Sequence, residues 1–140
     1  MIKSRTFNGT FLLLVSIVWI SCAYFNTYYN AEKYFNDADK LRLEKEGKSI
    51  PLSALDKYGK TIQKCQKVLK EYPESDLRIN AILLMAKARY YRREYDDALM
   101  DLRIVNEKGD EDQIAEAQYW IALCKWKKGT IQPAIDELTL

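Results

Sequence analysis

AILLMAKARYYRREYDDAL (Ala81–Leu99) aligns with AQYWIALCKWKKGTIQPAI (Ala117–Ile135) at an offset of 36 residues. Small residues match small ones and large residues match large ones over the whole stretch. The matched pairs are Ala81 and Ala117, Ala86 and Ala122, Ala88 and Cys124, Tyr90 and Trp126, Ala98 and Ala134, and Leu99 and Ile135. Two antiparallel helices can approach closely only where such small residues meet, because a larger side chain would overpack the contact. The alignment therefore predicts a repeated helix–turn–helix unit.

The rest of the chain also has helical rather than alternating periodicity. Apolar residues three or four positions apart form one stripe, which comprises Tyr28, Ala31, Phe35, Ala38 and Leu41. The motif SALD (Ser53–Asp56) is typical of a helix N-cap, and the helix that it starts should end before Pro73. The sequence therefore predicts an all-α fold.

The composition argues against an enzyme. Histidine, the commonest general base and metal ligand, is absent from the chain. The acidic runs at 96–97 and 110–112 fall at predicted helix starts or in loops, where carboxylates complement the helix dipole. The glycines are isolated, so the sequence has no phosphate-binding glycine loop. We therefore expect no enzymatic activity, no cofactor, no metal site and no small-molecule substrate.

The charges are balanced once the N-terminal leader is set aside. The chain has 22 Lys and Arg against 20 Asp and Glu, and Lys3 and Arg5 precede the first acidic residue, Glu32. Without these two cations the balance is 20 against 20. A nucleic-acid-binding domain needs a basic excess on its folded part. We therefore expect no nucleic-acid partner.

The N-terminus has the parts of an export signal. The positive stretch MIKSR precedes an apolar stretch of about a dozen residues, Thr10–Ile20, which is shorter than the roughly 20 residues of a membrane span. Ser21 and Cys22 follow it and resemble the bacterial lipobox, with Trp19 at a position that usually holds Leu, Val or Ile. In that motif the cysteine is lipidated and becomes the first residue of the mature protein.

The lipobox resemblance implies a signal peptide at residues 1–21, a lipidated tether at 22–26 attached through Cys22, and a helical domain at 27–140. Two alternatives are an uncleaved anchor that runs from Phe11 to Phe25 and a buried core helix. Lipidation through several acyl chains holds a protein stably on a membrane, since each buried CH₂ contributes about 0.8 kcal/mol.

The aligned units resemble the tetratricopeptide repeat, a helix pair with small residues at the positions of Ala86 and Ala98. Gly129 matches the turn glycine of that repeat, which Arg93 replaces in the preceding unit. The resemblance implies antiparallel helix pairs stacked as a right-handed solenoid, with clear repeats at about 76–109 and 112–140 and a degenerate unit at about 27–75. A generic helical bundle with coincidental alanines is the alternative.

In tetratricopeptide proteins the first helix of each pair lines a concave groove that binds peptides or proteins. The resemblance places ten residues in this partner-binding groove: Asn80, Leu83, Lys87, Tyr90, Tyr91, Glu116, Tyr119, Leu123, Trp126 and Lys127. Tyr90 and Trp126 could equally pack between the repeats. Cys65 and Cys124 lie in apolar surroundings in this register and are predicted to be buried rather than reactive.

The combination of a lipobox with helical repeats is similar to the outer-membrane β-barrel assembly lipoprotein (D subunit) family. The residues that carry this similarity are Ala31, Tyr34, Phe35, Ala38 and YPES (Tyr72–Ser75). It implies a scaffold at the periplasmic face of the outer membrane whose partners are β-barrel assembly subunits or unfolded outer-membrane proteins. The alternatives are a periplasmic module that organises cell-wall or division proteins and an accessory lipoprotein of a polysaccharide or efflux system.

Overall fold

The computed structural model describes residues 25–45 and 48–129. These residues form five α-helices and no strand, as the sequence predicts. The helices are α1 (25–43), α2 (Leu52–Glu71), α3 (Arg78–Tyr91), α4 (Tyr95–Lys108) and α5 (Glu111–Lys127). Among the described residues, no helix combines the length and the apolar character needed to cross a membrane.

Several sequence predictions fall outside the described residues. They concern the signal peptide at 1–21, lipid attachment at Cys22, and the last predicted helix, which follows Gly129. Phe25 and Asn26, which the sequence analysis assigns to the tether, belong to α1.

The start of α2 differs from the sequence prediction, and its end agrees with it. The N-cap is Pro51 rather than Ser53, and no side chain caps this end. The Pro51 carbonyl accepts hydrogen bonds from the backbone N–H groups of Ala54 and Leu55, 3.0 and 3.1 Å away. Because proline pre-sets its own φ, here −62°, the chain can enter the helix without a side-chain cap. The helix ends at Glu71, two residues before Pro73.

Neighbouring helices run antiparallel to one another. Lys57 of α2 pairs with Asp37 of α1 at 3.0 Å, and Arg92 at the end of α3 donates to the carbonyl of Leu55 near the start of α2, at 2.8 Å. The first helices of successive pairs run parallel instead. Asn80 and Gln113, near the starts of α3 and α5, are hydrogen-bonded through their side chains.

The small residues of the repeat lie where the helices pack. Ala81, Ala86 and Ala88 of α3 are fully buried, and their partners at an offset of 36 residues in α5 are 0 to 2% exposed. This confirms the predicted packing role of these positions within the described residues. The core has two parts, one between α1, α2 and α3 and the other between α3, α4 and α5. Because α3 contributes to both, it is the central helix of the described fold.

Candidate functional site

Two cavities are lined by residues of α1, α3 and α5. The first, which we call the N-terminal groove, has a volume of about 270 Å³. It is lined by Tyr28, Glu32, Phe35 and Asn36 of α1, by Asn80, Leu83, Leu84 and Lys87 of α3, and by Glu116 of α5. The second, which we call the C-terminal pocket, has a volume of about 540 Å³ and lies at the ends of these three helices, where Lys48 and Ile50 of the α1–α2 segment and Tyr95 at the start of α4 also line it.

Lys87 connects the three helices that line the N-terminal groove. Its Nζ lies 2.7 Å from Oε1 of Glu116 on α5. The same ammonium lies 5.5 Å from the centre of the Phe35 ring on α1 and 5.8 Å from that of Trp120 on α5. A cation at this distance from an aromatic face contributes about 0.5–1 kcal/mol at an exposed site. Lys87 therefore adds a positive charge to the groove lining and contacts side chains of both α1 and α5.

The N-terminal groove has an apolar floor and a polar rim. Phe35, Leu83 and Leu84 are between 6 and 8% exposed and form the floor. The side chains of Asn36 and Asn80 belong to the lining, and each amide can both donate and accept hydrogen bonds. A few polar groups around an apolar surface are typical of a binding site, in which the polar groups set the orientation of the ligand.

Tyr28 adds a protonated hydroxyl group to this rim. Burial, together with the nearby Glu32 carboxylate, raises the pKa of Tyr28 well above its usual value. The phenol proton is donated to the Glu32 carboxylate, and the hydroxyl oxygen can accept a hydrogen bond from a ligand.

An aromatic cluster connects the linings of the two cavities, and Tyr91 has the most ring contacts in it. The Trp120 ring, 9% exposed, lies 5.2 Å from that of Tyr90, 5.8 Å from that of Tyr91 and 5.7 Å from that of Tyr119. The three pairs are edge-to-face, an arrangement that contributes about 0.5–1.5 kcal/mol beyond the area buried. Tyr91 also stacks on Tyr58 of α2, with 5.0 Å between ring centres.

The ten groove residues predicted from the sequence fall into three groups. Asn80, Leu83, Lys87 and Glu116 line the N-terminal groove together. Tyr90, Tyr91 and Lys127 line the C-terminal pocket. Tyr119, Leu123 and Trp126 line neither cavity in the described part of the chain. Tyr90 packs within the aromatic cluster, whereas Trp126 is 53% exposed with the Lys127 ammonium 4.5 Å from its ring centre.

The α1 side of the groove is missing from the sequence prediction. The first unit lacks the small-residue pattern of the later repeats, so no groove face could be assigned to it by alignment. A signal was present nonetheless, because Tyr28, Glu32 and Asn36 are four positions apart and share one face of a helix. Trp120 was also missed, since the alignment drew attention to the exposed Trp126.

Cys65 and Cys124 are buried and free, as the sequence predicts. Burial raises the pKa of Cys65 to about 12 and that of Cys124 to about 11, so both remain thiols at neutral pH. Among residues 25–45 and 48–129, no group of three or more acidic or cysteine side chains could hold a metal ion.

A scan against protein-family models, a search of curated proteins and a search of solved structures found no match to the chain. The function proposed next therefore depends on the sequence motifs and on the geometry of the two cavities.

Proposed function

We propose that the chain is a non-enzymatic, lipid-anchored scaffold of the bacterial envelope that binds partner proteins through the N-terminal groove. Its place is the periplasmic face of the outer membrane, where Cys22 carries the lipid, and its role is in outer-membrane protein assembly. The observation that carries the binding function is the groove itself, which brings an apolar floor, two amides and the Lys87–Glu116 ion pair together across three helices.

The finer architecture that we propose is a right-handed tetratricopeptide-like solenoid with three helix pairs. Three features support it: the antiparallel neighbours, the parallel alignment of α3 with α5, and the burial of the repeated small residues. In such a stack the first helices of all pairs face the same concave surface. The N-terminal groove matches that surface, because α1, α3 and α5 line it and α2 and α4 do not.

The groove suits an extended segment of a protein chain. Asn36 and Asn80 can pair with the backbone N–H and C=O groups of such a segment, while Phe35, Leu83 and Leu84 receive an apolar side chain. The Lys87–Glu116 pair is partly exposed and offers both signs of charge to the ends or side chains of the segment. Unfolded outer-membrane proteins and β-barrel assembly subunits are the partners that the family resemblance implies.

Site-specific photo-cross-linking in living bacteria tests the binding function. A photoreactive phenylalanine analogue replaces Asn36 or Asn80 in the groove, and Arg103, exposed on α4, is the matched control position. We expect cross-links to β-barrel assembly subunits or nascent outer-membrane proteins from the groove positions and none from position 103. Cross-links to cell-wall synthases would contradict the assembly role, and equal cross-linking from all three positions would contradict the groove.

Palmitate labelling tests the anchor separately. Wild type should incorporate palmitate and sediment with membranes, and Cys22→Ala should lose the label. Unlabelled wild type would contradict lipidation and favour the uncleaved anchor.

A further inference from the structure

The C-terminal pocket is lined by five cations and by no carboxylate. Its cationic residues are Arg42, Lys45, Lys48, Arg93 and Lys127. They come from three separate parts of the chain: the end of α1 with the segment that follows it, the α3–α4 turn, and the end of α5. Because the chain downstream of the leader has no excess of positive charge, the fold itself concentrates these cations at one place.

Within the part of the chain that the structure describes, few of these cations are paired with a carboxylate. Arg42 is paired with Asp39 at 3.1 Å, and its guanidinium lies 4.4 Å from the centre of the Tyr91 ring. Within the described residues, Lys45, Lys48 and Arg93 form no ion pair with a carboxylate, and Lys127 contacts the Trp126 ring instead. The described lining of the pocket therefore carries an excess of positive charge, which a bound anion would balance.

The dipole of α3 does not by itself explain why a cation is present at position 93. Cations at helix C-termini are stabilising, and Arg92 already occupies that position at the end of α3. Arg93 has a φ of 65°, a left-handed conformation that costs a non-glycine residue roughly 1–2 kcal/mol. The backbone hydrogen bonds from Arg93 N to Tyr90 O and from Glu94 N to Arg89 O are those of a common helix-ending motif, which usually has glycine at this position. With arginine here, the turn adds a guanidinium to the pocket lining.

The rest of the lining fits an organic ligand rather than a bare ion. Tyr90, Tyr91 and Tyr95 belong to the pocket, and burial raises the pKa of Tyr90 to about 12 and that of Tyr91 above its usual value. The hydroxyl groups of Tyr90 and Tyr91 therefore add no negative charge and remain donors. The volume of about 540 Å³ exceeds that of a phosphate group and leaves room for an attached ring beside the aromatic surfaces.

We propose that the C-terminal pocket binds a phosphate-bearing ligand, with Arg42, Lys45, Lys48, Arg93 and Lys127 around the phosphate and the tyrosines beside its organic part. Arginine and lysine are the residues that recognise phosphate, the former through its forked donors and the latter as a point charge. The phosphate belongs either to a soluble compound or to a lipid headgroup, and the experiment below distinguishes these two sources.

Calorimetry tests this proposal by measuring how tightly pyrophosphate binds to the full-length protein. The protein is held in phosphatidylcholine nanodiscs. The pocket variant combines Lys45→Gln, Lys48→Gln and Arg93→Gly, of which the last removes backbone strain and so favours folding. The control variant removes three exposed cations from the other ends and faces of the helices, with Lys70→Gln, Arg103→Gln and Lys108→Gln. Both variants lose the same net charge, and thermal unfolding checks that both are folded.

We expect wild type and the control variant to bind pyrophosphate, and the pocket variant to bind at least about tenfold more weakly, because three interactions with the anion are lost. Repeating the titration in phosphatidylglycerol nanodiscs identifies the source of the phosphate. Unchanged binding indicates a soluble ligand, and binding abolished only in wild type and control indicates that the lipid headgroup occupies the pocket; both results support a phosphate site. No binding by wild type, or equal weakening of both variants, would overturn the site.

Discussion

Arg93 and Gly129 occupy the same position in successive helix pairs, and both have positive φ angles, 65° and 82°. The preceding residues, Arg92 and Lys128, have nearly identical C-cap conformations at φ −82° and −81°. In both turns the backbone N–H of the cap residue reaches the carbonyl four residues earlier, Ala88 in one case and Cys124 in the other. The offset of 36 residues seen in the sequence therefore extends to the backbone of the turn.

The first prediction concerns this turn. Arg93→Gly should raise the free energy of unfolding by about 0.5–1 kcal/mol, because glycine adopts a positive φ without a Cβ clash. Gly129→Ala is the reciprocal change and should lower it by about 1 kcal/mol, although a Cβ there would meet no atom within 4 Å. Urea unfolding of both variants measures the difference. If Arg93→Gly proved destabilising, the side chain of Arg93 would have a packing role that outweighs the strain.

The second prediction tests the small residues between the helices. Ala98 is fully buried on α4, and Ala98→Leu should destabilise the protein by about 1–3 kcal/mol because the added side chain cannot be accommodated at the contact. Ala115 on α5 is exposed, so Ala115→Leu is the control and should change stability by less than about 0.5 kcal/mol. Similar effects of the two substitutions in chemical denaturation would contradict close helix packing at Ala98.

The third prediction concerns the buried ion pair between α3 and α4. Arg89 Nη1 lies 2.6 Å from Asp101 Oδ2, and Asp101 is 6% exposed. Burial raises the pKa of Asp101 to about 6, although the charge and the hydrogen bond of Arg89 oppose the shift. Since the unfolded value is about 3.9, the folded state binds this proton more tightly than the unfolded state does. The resulting contribution to stability is fully present below about pH 4 and is lost as the pH rises through 6.

In the variant Asp101→Asn, residue 101 cannot titrate. The difference between wild type and this variant therefore isolates the contribution of the Asp101 carboxyl group to the pH dependence of stability. We expect the stability of wild type relative to Asp101→Asn to fall between pH 4 and pH 7, as measured by urea unfolding at a series of pH values. An NMR titration of the Asp101 carboxyl carbon gives the pKa directly. A difference that stays constant, or grows, with rising pH would show that the ion pair outweighs burial at this position.

The fourth prediction concerns the thiols. Cys65 and Cys124 are both fully buried with raised pKa values, so iodoacetamide at pH 8 should not modify them in the native protein. Unfolding in guanidinium should expose both to rapid alkylation, which mass spectrometry counts. In protein isolated from bacterial membranes, a third alkylated cysteine after unfolding would contradict lipid attachment at Cys22. Fast native alkylation of Cys65 or Cys124 would contradict their burial.

Much of the fold could be predicted from local sequence signals. The spacing of apolar residues indicated helices, Pro73 indicated the end of α2, and matched alanines indicated which faces pack together. These signals succeed because helical periodicity and helix-breaking residues act over a few positions of the chain. The N-cap at Ser53 was wrong because two positions upstream Pro51 already provides the conformation that starts the helix.

The sequence by itself determined the all-α class, the repeated turn, and the burial of Cys65 and Cys124. Only the tertiary structure decided how the predicted groove residues divide between two cavities and which residues of α1 join them. Lys87 meets residues of α1 and of α5, and the C-terminal pocket collects cations from positions 42 to 127. Such neighbours depend on how three parallel helices are placed against one another. That placement is set by core packing between distant segments and leaves no periodic trace in the chain.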